Sequence, residues 1–253
     1  GVHLANVPEK LISQPLTLEL ILSDLDTVEK RLKKALSQAK SGDKGFKAQA
    51  VFLERLRDVL AEGREARSLT IDGEQERAWL TELCLLSAKP VLYVANVAEE
   101  DVLGGNEHVR RLEAVAAATG DGVVVIAGNI EQELSQLDAA EQREFLADMG
   151  MSEPGLNRLI KAGYDLLGLI TFFTVGEKET RAWTIPKGST APNAASKIHS
   201  DFERGFIRAE TIAYDDYVAC GGENRAKEQG KMRSEGKNYI VADGDCILFR
   251  FNV

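Results

Sequence analysis

The chain has 253 residues, 44% of them hydrophobic and 28% charged, which is the composition of a soluble globular protein with room for one large domain or two to three small ones. No apolar stretch approaches the roughly 20 residues needed to cross a bilayer, and these residues contain no signal-peptide pattern. The net charge of −9 argues against bulk attraction to nucleic acid, so neither DNA nor a membrane is an expected partner, and any RNA contact has to be local.

Residues 16–40 carry apolar side chains at Leu18, Ile21, Leu25, Val28, Leu32, Ala35 and Ala39. Intervals alternating between three and four make a heptad seam on a helix of about 25 residues, or roughly 37 Å. Ser41-Gly42-Asp43-Lys44-Gly45 breaks the pattern, which resumes with Phe46, Ala50, Leu53, Leu56 and Leu60. Two helices joined by a short polar turn predict an antiparallel hairpin. The hairpin offers the seam an intramolecular partner, so a monomer is expected. A third helix is predicted from Gly73 to Ser87.

An α/β region opens at Lys89-Pro90. Val91–Ala95 is a short, partly β-branched apolar run that reads as a buried strand of a parallel sheet, and Gly122–Ile126 as a second. Between them Asn106–Ala118 reads as a helix, so a right-handed parallel crossover is expected. Helices are predicted over Glu131–Leu137, Ala139–Met149 and Glu153–Leu167, with Pro154 in a first turn. Two strands are too few for a stable parallel sheet of this kind, and further partner strands are expected outside these residues.

From Ile170 the pattern changes to short alternating strands. Thr171–Val175 and Arg181–Ile185 flank Gly176-Glu177-Lys178-Glu179 as a hairpin. Thr190–Arg204 contains a helix, and strands are predicted near Phe206–Thr211, Tyr239–Val241 and Cys246–Phe251. Such an order in about 85 residues suggests a β-grasp module. Its aromatic residues Phe172, Phe173, Trp183, Phe202, Phe206, Tyr214, Tyr217 and Tyr239 read as core at strand spacing.

Charge is unevenly spread. Residues 1–168 hold 19 basic against 28 acidic residues and the remainder 12 against 12, so the excess lies in the first two thirds. The local basic candidates are Arg225, Lys227, Lys231, Arg233 and Lys237, which also read as an ordinary solvated loop or helix. Cys84, Cys220 and Cys246 are an odd set without Cys-x-x-Cys spacing, which fits a reducing cytoplasm and excludes a disulfide framework. Cys84 and Cys246 are expected to be buried and Cys220 exposed. His3, His108 and His199 are too scattered for a metal site; His108 is expected at the surface and His199 in a structural role between a helix and a strand.

The first predicted strand ends on Asn96-Val97-Ala98-Glu99. Ligands of parallel sheets bind beyond the carboxyl ends of strands, where Asn96 and Glu99 fall. The order of residues 153–164 (EPGLNRLIKAGY), 181–192 (RAWTIPKGSTAP), 197–209 (KIHSDFERGFIRA) and 236–241 (GKNYIV) resembles the YchF-type subfamily of Obg-related P-loop NTPases over about residues 19–253. The resemblance implies an incomplete P-loop (G) domain over 89–168, a helical coiled-coil hairpin over 16–88 and a C-terminal β-grasp TGS domain over 169–253. Residues 1–15 stay unmatched.

It further implies an ATP-preferring hydrolase with GTP as a weaker ligand, magnesium as cofactor, and the ribosome as partner through rRNA or ribosomal protein. Base recognition is implied for Asn96, Val97 and Glu99, where GTPases carry Asn-Lys-x-Asp, and for the backbone of Ala127-Gly128-Asn129, where the family has Ser-Ala-Ala or Ser-Gly-Ala. Glu in place of Asp and Val97 in place of Lys would spoil guanine recognition. No Gly-x-x-x-x-Gly-Lys-Ser/Thr phosphate loop occurs in the 253 residues. The simplest reading is that these residues are the distal part of a longer protein whose missing part holds the phosphate loop and the catalytic residue; otherwise the chain is a non-catalytic scaffold.

Overall fold

The computed structural model describes residues 14–40, 43–176 and 179–252. The expected leader with His3, and parts of the helix break and of the hairpin turn (residues 41–42 and 177–178), lie outside them. The chain divides into two compact units, one ending at Val91 and the other beginning at Leu92.

In the first unit α1 (Gln14–Ala39) and α2 (Lys44–Ala61) share a core made by the predicted seam: Ile21, Val28, Leu32 and Ala35 meet Ala50, Phe52, Leu53, Leu56 and Leu60. Asp43 starts α2 by accepting the Gly45 amide at 2.7 Å. Leu18, assigned to the seam, is exposed, because the core begins one turn later at Ile21. The third helix, α3 (Gly73–Leu83), is shorter than predicted and ends where Cys84 adopts the left-handed conformation at φ 50°. Trp79 of α3 packs on Phe52, with ring centroids 5.8 Å apart.

The second unit carries two sheets. In the first, β1 (Leu92–Asn96) is joined through α4 (Glu107–Thr119) to β2 (Gly122–Ile126), and the strands pair in parallel with Asn96 opposite Ile126. Asn106 caps α4 by accepting the Val109 amide. There follow α5 (Gly128–Leu134), α6 (Ala139–Asp148), begun by a capping box of Asp138 and Glu141, and α7 (Gly155–Leu166). Pro154 stands at the N-cap of α7, just ahead of the first turn predicted for it, because its ψ of 147° is extended.

The second sheet is built from β3 (Leu169–Val175), β4 (Thr180–Pro186), β5 (Phe206–Ile212), β6 (Arg233–Glu235) and β7 (Cys246–Phe251), in the order β4-β3-β7-β5-β6. β3 and β7 run parallel and the other neighbours antiparallel. Between β4 and β5 lie α8 (Ala191–Ile198) and α9 (Ser200–Arg204); between β5 and β6 lie α10 (Tyr214–Cys220) and α11 (Glu223–Glu228). The core of this sheet is Phe172, Ile185, Ala191, Ala194, Ala195, Phe206, Ala209, Ile247 and Phe249. Small alanines let α8 approach the sheet closely.

Tyr239–Val241 is not a strand. Ile240 makes one bridge to Thr190, while the polar run Arg233–Glu235 supplies the edge strand instead. Cys84 is exposed and Cys220 buried, the reverse of the expectation, whereas Cys246 is buried as expected. His199 separates two helices rather than a helix and a strand, and its Nδ1 caps α9 by accepting the Asp201 amide at 3.2 Å. No helix among the described residues is long and apolar enough to cross a membrane.

Candidate functional site

The parallel register ends both β1 and β2 at one level and brings the Asn96 side chain beside the start of α5. Asn96 Oδ1 accepts the Gly128 amide at 2.9 Å, and the Val97 amide donates to Ile126 O at 2.9 Å. Asn96, Val97, Ile126 and Gly128 therefore form one hydrogen-bonded junction. Val97 and the buried Ala127 pack into the same small cluster with Ile130, Leu134 and Leu146, which anchors the junction from beneath. Asn96, Gly128 and Asn129 are exposed above it.

Glu99 opens a 3-10 turn, Glu99–Asp101, and is exposed. With Glu100, Val102, Leu103 and Met149 it borders an open depression, and Leu103 is 65% exposed there. Asp101 in turn accepts the Asn106 amide nitrogen at 2.7 Å, fixing the turn to the cap of α4. The residues named from sequence thus occupy the ends of two adjacent strands and the turn after the first of them.

A residue missed in the sequence is Glu131. Its carboxylate accepts the Gly155 amide at 2.7 Å and the Leu156 amide at 3.2 Å, so it caps the free N–H groups of α7. A side chain at Gly155 would stand 2.8 Å from Glu131 Oε1 and 3.1 Å from Ile126 Cγ2, which is why glycine stands there. An acidic residue one turn into α5 followed by Pro-Gly 23 residues later is no readable signal without the fold.

The described residues contain no group of three or more His, Cys, Asp or Glu able to hold a metal ion. They do not by themselves supply a magnesium site, and no chemical step is derived through one.

Of the five basic positions singled out in the C-terminal part, Lys231 and Arg233 have ion-pair partners among the described residues, as do some arginines near them. Lys231 pairs with Asp216 at 3.0 Å, Arg204 with Asp201 at 3.2 Å, and Arg208 with Glu210 at 2.9 Å, while Arg181 lies 4.2 Å from the Trp183 ring centre. Arg233 reaches the Tyr239 hydroxyl at 3.0 Å and the buried Asp245 at 3.5 Å. Asp245 accepts the Tyr239 hydroxyl at 2.7 Å and the Ala242 amide at 2.9 Å. Burial, reinforced by Asp245, pushes the Tyr239 phenol up to about 12. This cluster clasps the 236–245 loop to the sheet, with Arg233 as its one arginine.

Comparison with known proteins agrees with the architecture. A solved structure of the Schizosaccharomyces pombe YchF GTPase superposes with a TM-score of 0.84 at 28% identity, covering 99% of this chain and 68% of that one. The fold is thus the mixed α/β fold of a YchF GTPase. A family model named YchF-GTPase_C, described as a protein of unknown function (DUF933), matches residues 169–252. The curated Ribosome-binding ATPase YchF of Bacillus subtilis (strain 168) is 49% identical over 242 residues, 95% of this chain and 66% of its own length. The Haemophilus influenzae protein of that name is 47% identical over 253 residues, all of this chain and 69% of its own. The chain belongs to the YchF family. It spans just under two thirds of the B. subtilis relative.

Proposed function

We propose that the junction at the ends of β1 and β2 is the base-recognition part of a nucleotide site in a P-loop NTPase that prefers ATP to GTP and hydrolyses it with magnesium. The observation that carries this reading is the Asn96–Gly128 hydrogen bond, which holds a polar side chain and the backbone of the next strand's end around one exposed point. In open α/β sheets that is the position of ligands. Asn96 and the backbone of 127–129 would meet the adenine edge. Glu99, longer than Asp and preceded by Val97 in place of the lysine, would select adenine over guanine.

In this reading residues 89–168 are the distal part of the nucleotide domain, and groups outside the 253 residues supply the phosphate loop, magnesium ligands and catalytic residue. Residues 16–88 are the helical hairpin. Residues 169–253 are a TGS module, a reading supported by a mixed five-stranded sheet with α8 packed against its alanine-lined core. The hydrolysis is magnesium-assisted phosphoryl transfer to water, and the bound state is read out by the other two parts. The printed names of the relatives support the ribosome as partner and, with it, the cytoplasm as location.

A second reading is favoured by one observation, the lack of a phosphate loop in the 253 residues: the chain acts as a non-catalytic scaffold that binds the ribosome or another protein. Calorimetric titration with ATP separates the two. Binding by a polypeptide of the relatives' full length, abolished by Asn96→Ala together with Glu99→Ala, supports the base site. Ribosome association by the 253-residue chain and by the full-length polypeptide, with no effect of nucleotide on either, supports the scaffold.

A further inference from the structure

A dense run of basic charge lies in the helical unit. Residues 30–47 hold seven basic side chains against one acidic, Asp43, in a chain whose net charge is −9. The buried positions of this half of α1 are Val28, Leu32 and Ala35. At 3.6 residues per turn, Lys30, Lys33 and Lys34 fall on the opposite side; they are exposed, as is Lys40 just past the end of the helix. Lys44 and Lys47, in the first turn of α2, are exposed as well and lie away from Ala50 and Leu53.

Two cations of the group have partners: Lys30 with Asp26 at 2.5 Å and Arg31 with Glu82 at 3.3 Å. Among the described residues Lys33, Lys34, Lys40, Lys44 and Lys47 form no ion pair. Folding gains nothing from them. Lys30 with Lys33 and with Lys34, and Lys44 with Lys47, are like-charge pairs at spacings three and four, which oppose the helix. Lys44 and Lys47 also stand at the positive end of the α2 dipole, where cations are disfavoured. Of the C-terminal arginines, Arg204, Arg208, Arg233 and Arg250 are tied to carboxylates and Arg181 lies over the Trp183 ring.

The geometry points to this lysine face as a contact surface for the phosphate backbone of RNA. Unpaired lysines on a helix face are mobile point charges suited to phosphates, and phosphate contacts position a protein without reading sequence. The one aromatic residue beside the face, Phe46, is half-buried, and its exposed apolar neighbours are Leu36 and Val51, too little to enter a lipid surface. The choice of RNA rests on the ribosome reading above. The lysine face gives that partner a place on the chain, one independent of the nucleotide site.

The test uses the whole 253-residue chain and a variant with Lys33, Lys34, Lys40 and Lys44 each changed to Gln. A companion variant with the same four changed to Arg keeps the charge, and Arg225→Gln with Lys227→Gln and Lys237→Gln serves as the rival surface. Binding is read with a 20-base-pair RNA hairpin over a range of salt, and in parallel by co-sedimentation with ribosomes. The four-Gln variant, unchanged in its melting curve, is expected to lose at least tenfold in RNA affinity and to reduce the slope of log K against log salt by about 3. The Arg and rival variants are expected to keep wild-type binding.

Wild-type failure to bind RNA overturns the inference, as does equal RNA binding by the four-Gln variant. Binding to phosphatidylserine vesicles without binding to RNA overturns it in favour of a membrane. Ribosome co-sedimentation that the four-Gln change leaves intact overturns it while the ribosome reading stands. Lysine-dependent RNA binding without ribosome co-sedimentation supports the face and counts against the ribosome as partner.

Discussion

The side-chain oxygen of Asn96, the last residue of β1, accepts the amide hydrogen of Gly128 at 2.9 Å, so one side chain ties together the ends of two parallel strands. Because both residues are exposed, water can replace the lost partner. Asn96→Ala is therefore expected to cost about 1 kcal/mol in urea unfolding, and Asn96→Asp, which keeps the acceptor, less. A loss of nucleotide affinity much larger than this small loss of stability would mark Asn96 as a ligand-contacting residue.

Asp24 is the polar anchor of the helical unit. Only 3% exposed, it accepts the Leu86 amide at 2.9 Å, the Ser87 amide at 2.7 Å and the Ser87 hydroxyl at 2.6 Å. The Ser87 hydroxyl in turn accepts the Ala66 amide at 3.1 Å. Asp24→Ala strips the acceptors from buried donors, and a loss of about 3 kcal/mol is expected, measured as a lower urea midpoint. Ser87→Ala, which leaves both backbone bonds, is expected to cost less than half as much.

Two groups of the C-terminal sheet give its stability opposite pH limits. Arg250 and Arg208 hold the Glu210 carboxyl below its ordinary 4.5, so its contribution is complete above that value and is lost as pH falls through the depressed value. The Tyr239 phenol is raised to about 12, so its contribution is complete below pH 10 and is lost as pH climbs from 10 to 12. Melting temperatures of Glu210→Gln are expected to vary less than wild type on the acid side only. Those of Tyr239→Phe are expected to vary less on the alkaline side only.

Gly205 leaves no room for a side chain. A Cβ there would lie 1.9 Å from Asn252 O, and the Gly205 carbonyl accepts the Asn252 amide at 2.9 Å. Gly205→Ala has to separate α9 from the end of β7, and a loss of about 3 kcal/mol is expected on thermal unfolding. An unchanged melting temperature would show that the chain end yields freely.

What could be read from the sequence followed from periodicity. The seam from Ile21 to Ala35 announced a helix face because it buries a regular set of apolar residues, and the run Val91–Ala95 announced a strand by its β-branched composition, although no residue of β1 is fully buried and Val94 is 44% exposed. Where burial departs from pattern, reading failed. Ile240 and Val241 look like a strand, but only Val241 is buried and the segment is a clasped loop; Arg233–Glu235 is polar because an edge strand keeps side chains in water. Cys84 is exposed because its helix stops at that residue, which no local residue type signals. Asn96 stands out through its place at a strand end and Gly128 through the resemblance, whereas the hydrogen bond between them depends on register. The lysine face stayed hidden because its charges are interleaved with core residues and only the helix sorts them.

The most direct test of the nucleotide site is the ratio of ATP to GTP affinity in a polypeptide of the relatives' full length, before and after Val97→Lys with Glu99→Asp. These two changes restore the Asn-Lys-x-Asp order that accepts guanine while leaving the Asn96–Gly128 junction in place. The ratio is expected to shift toward GTP by at least tenfold. An unchanged ratio in a folded protein would contradict the assignment of Asn96, Val97 and Glu99 to the base.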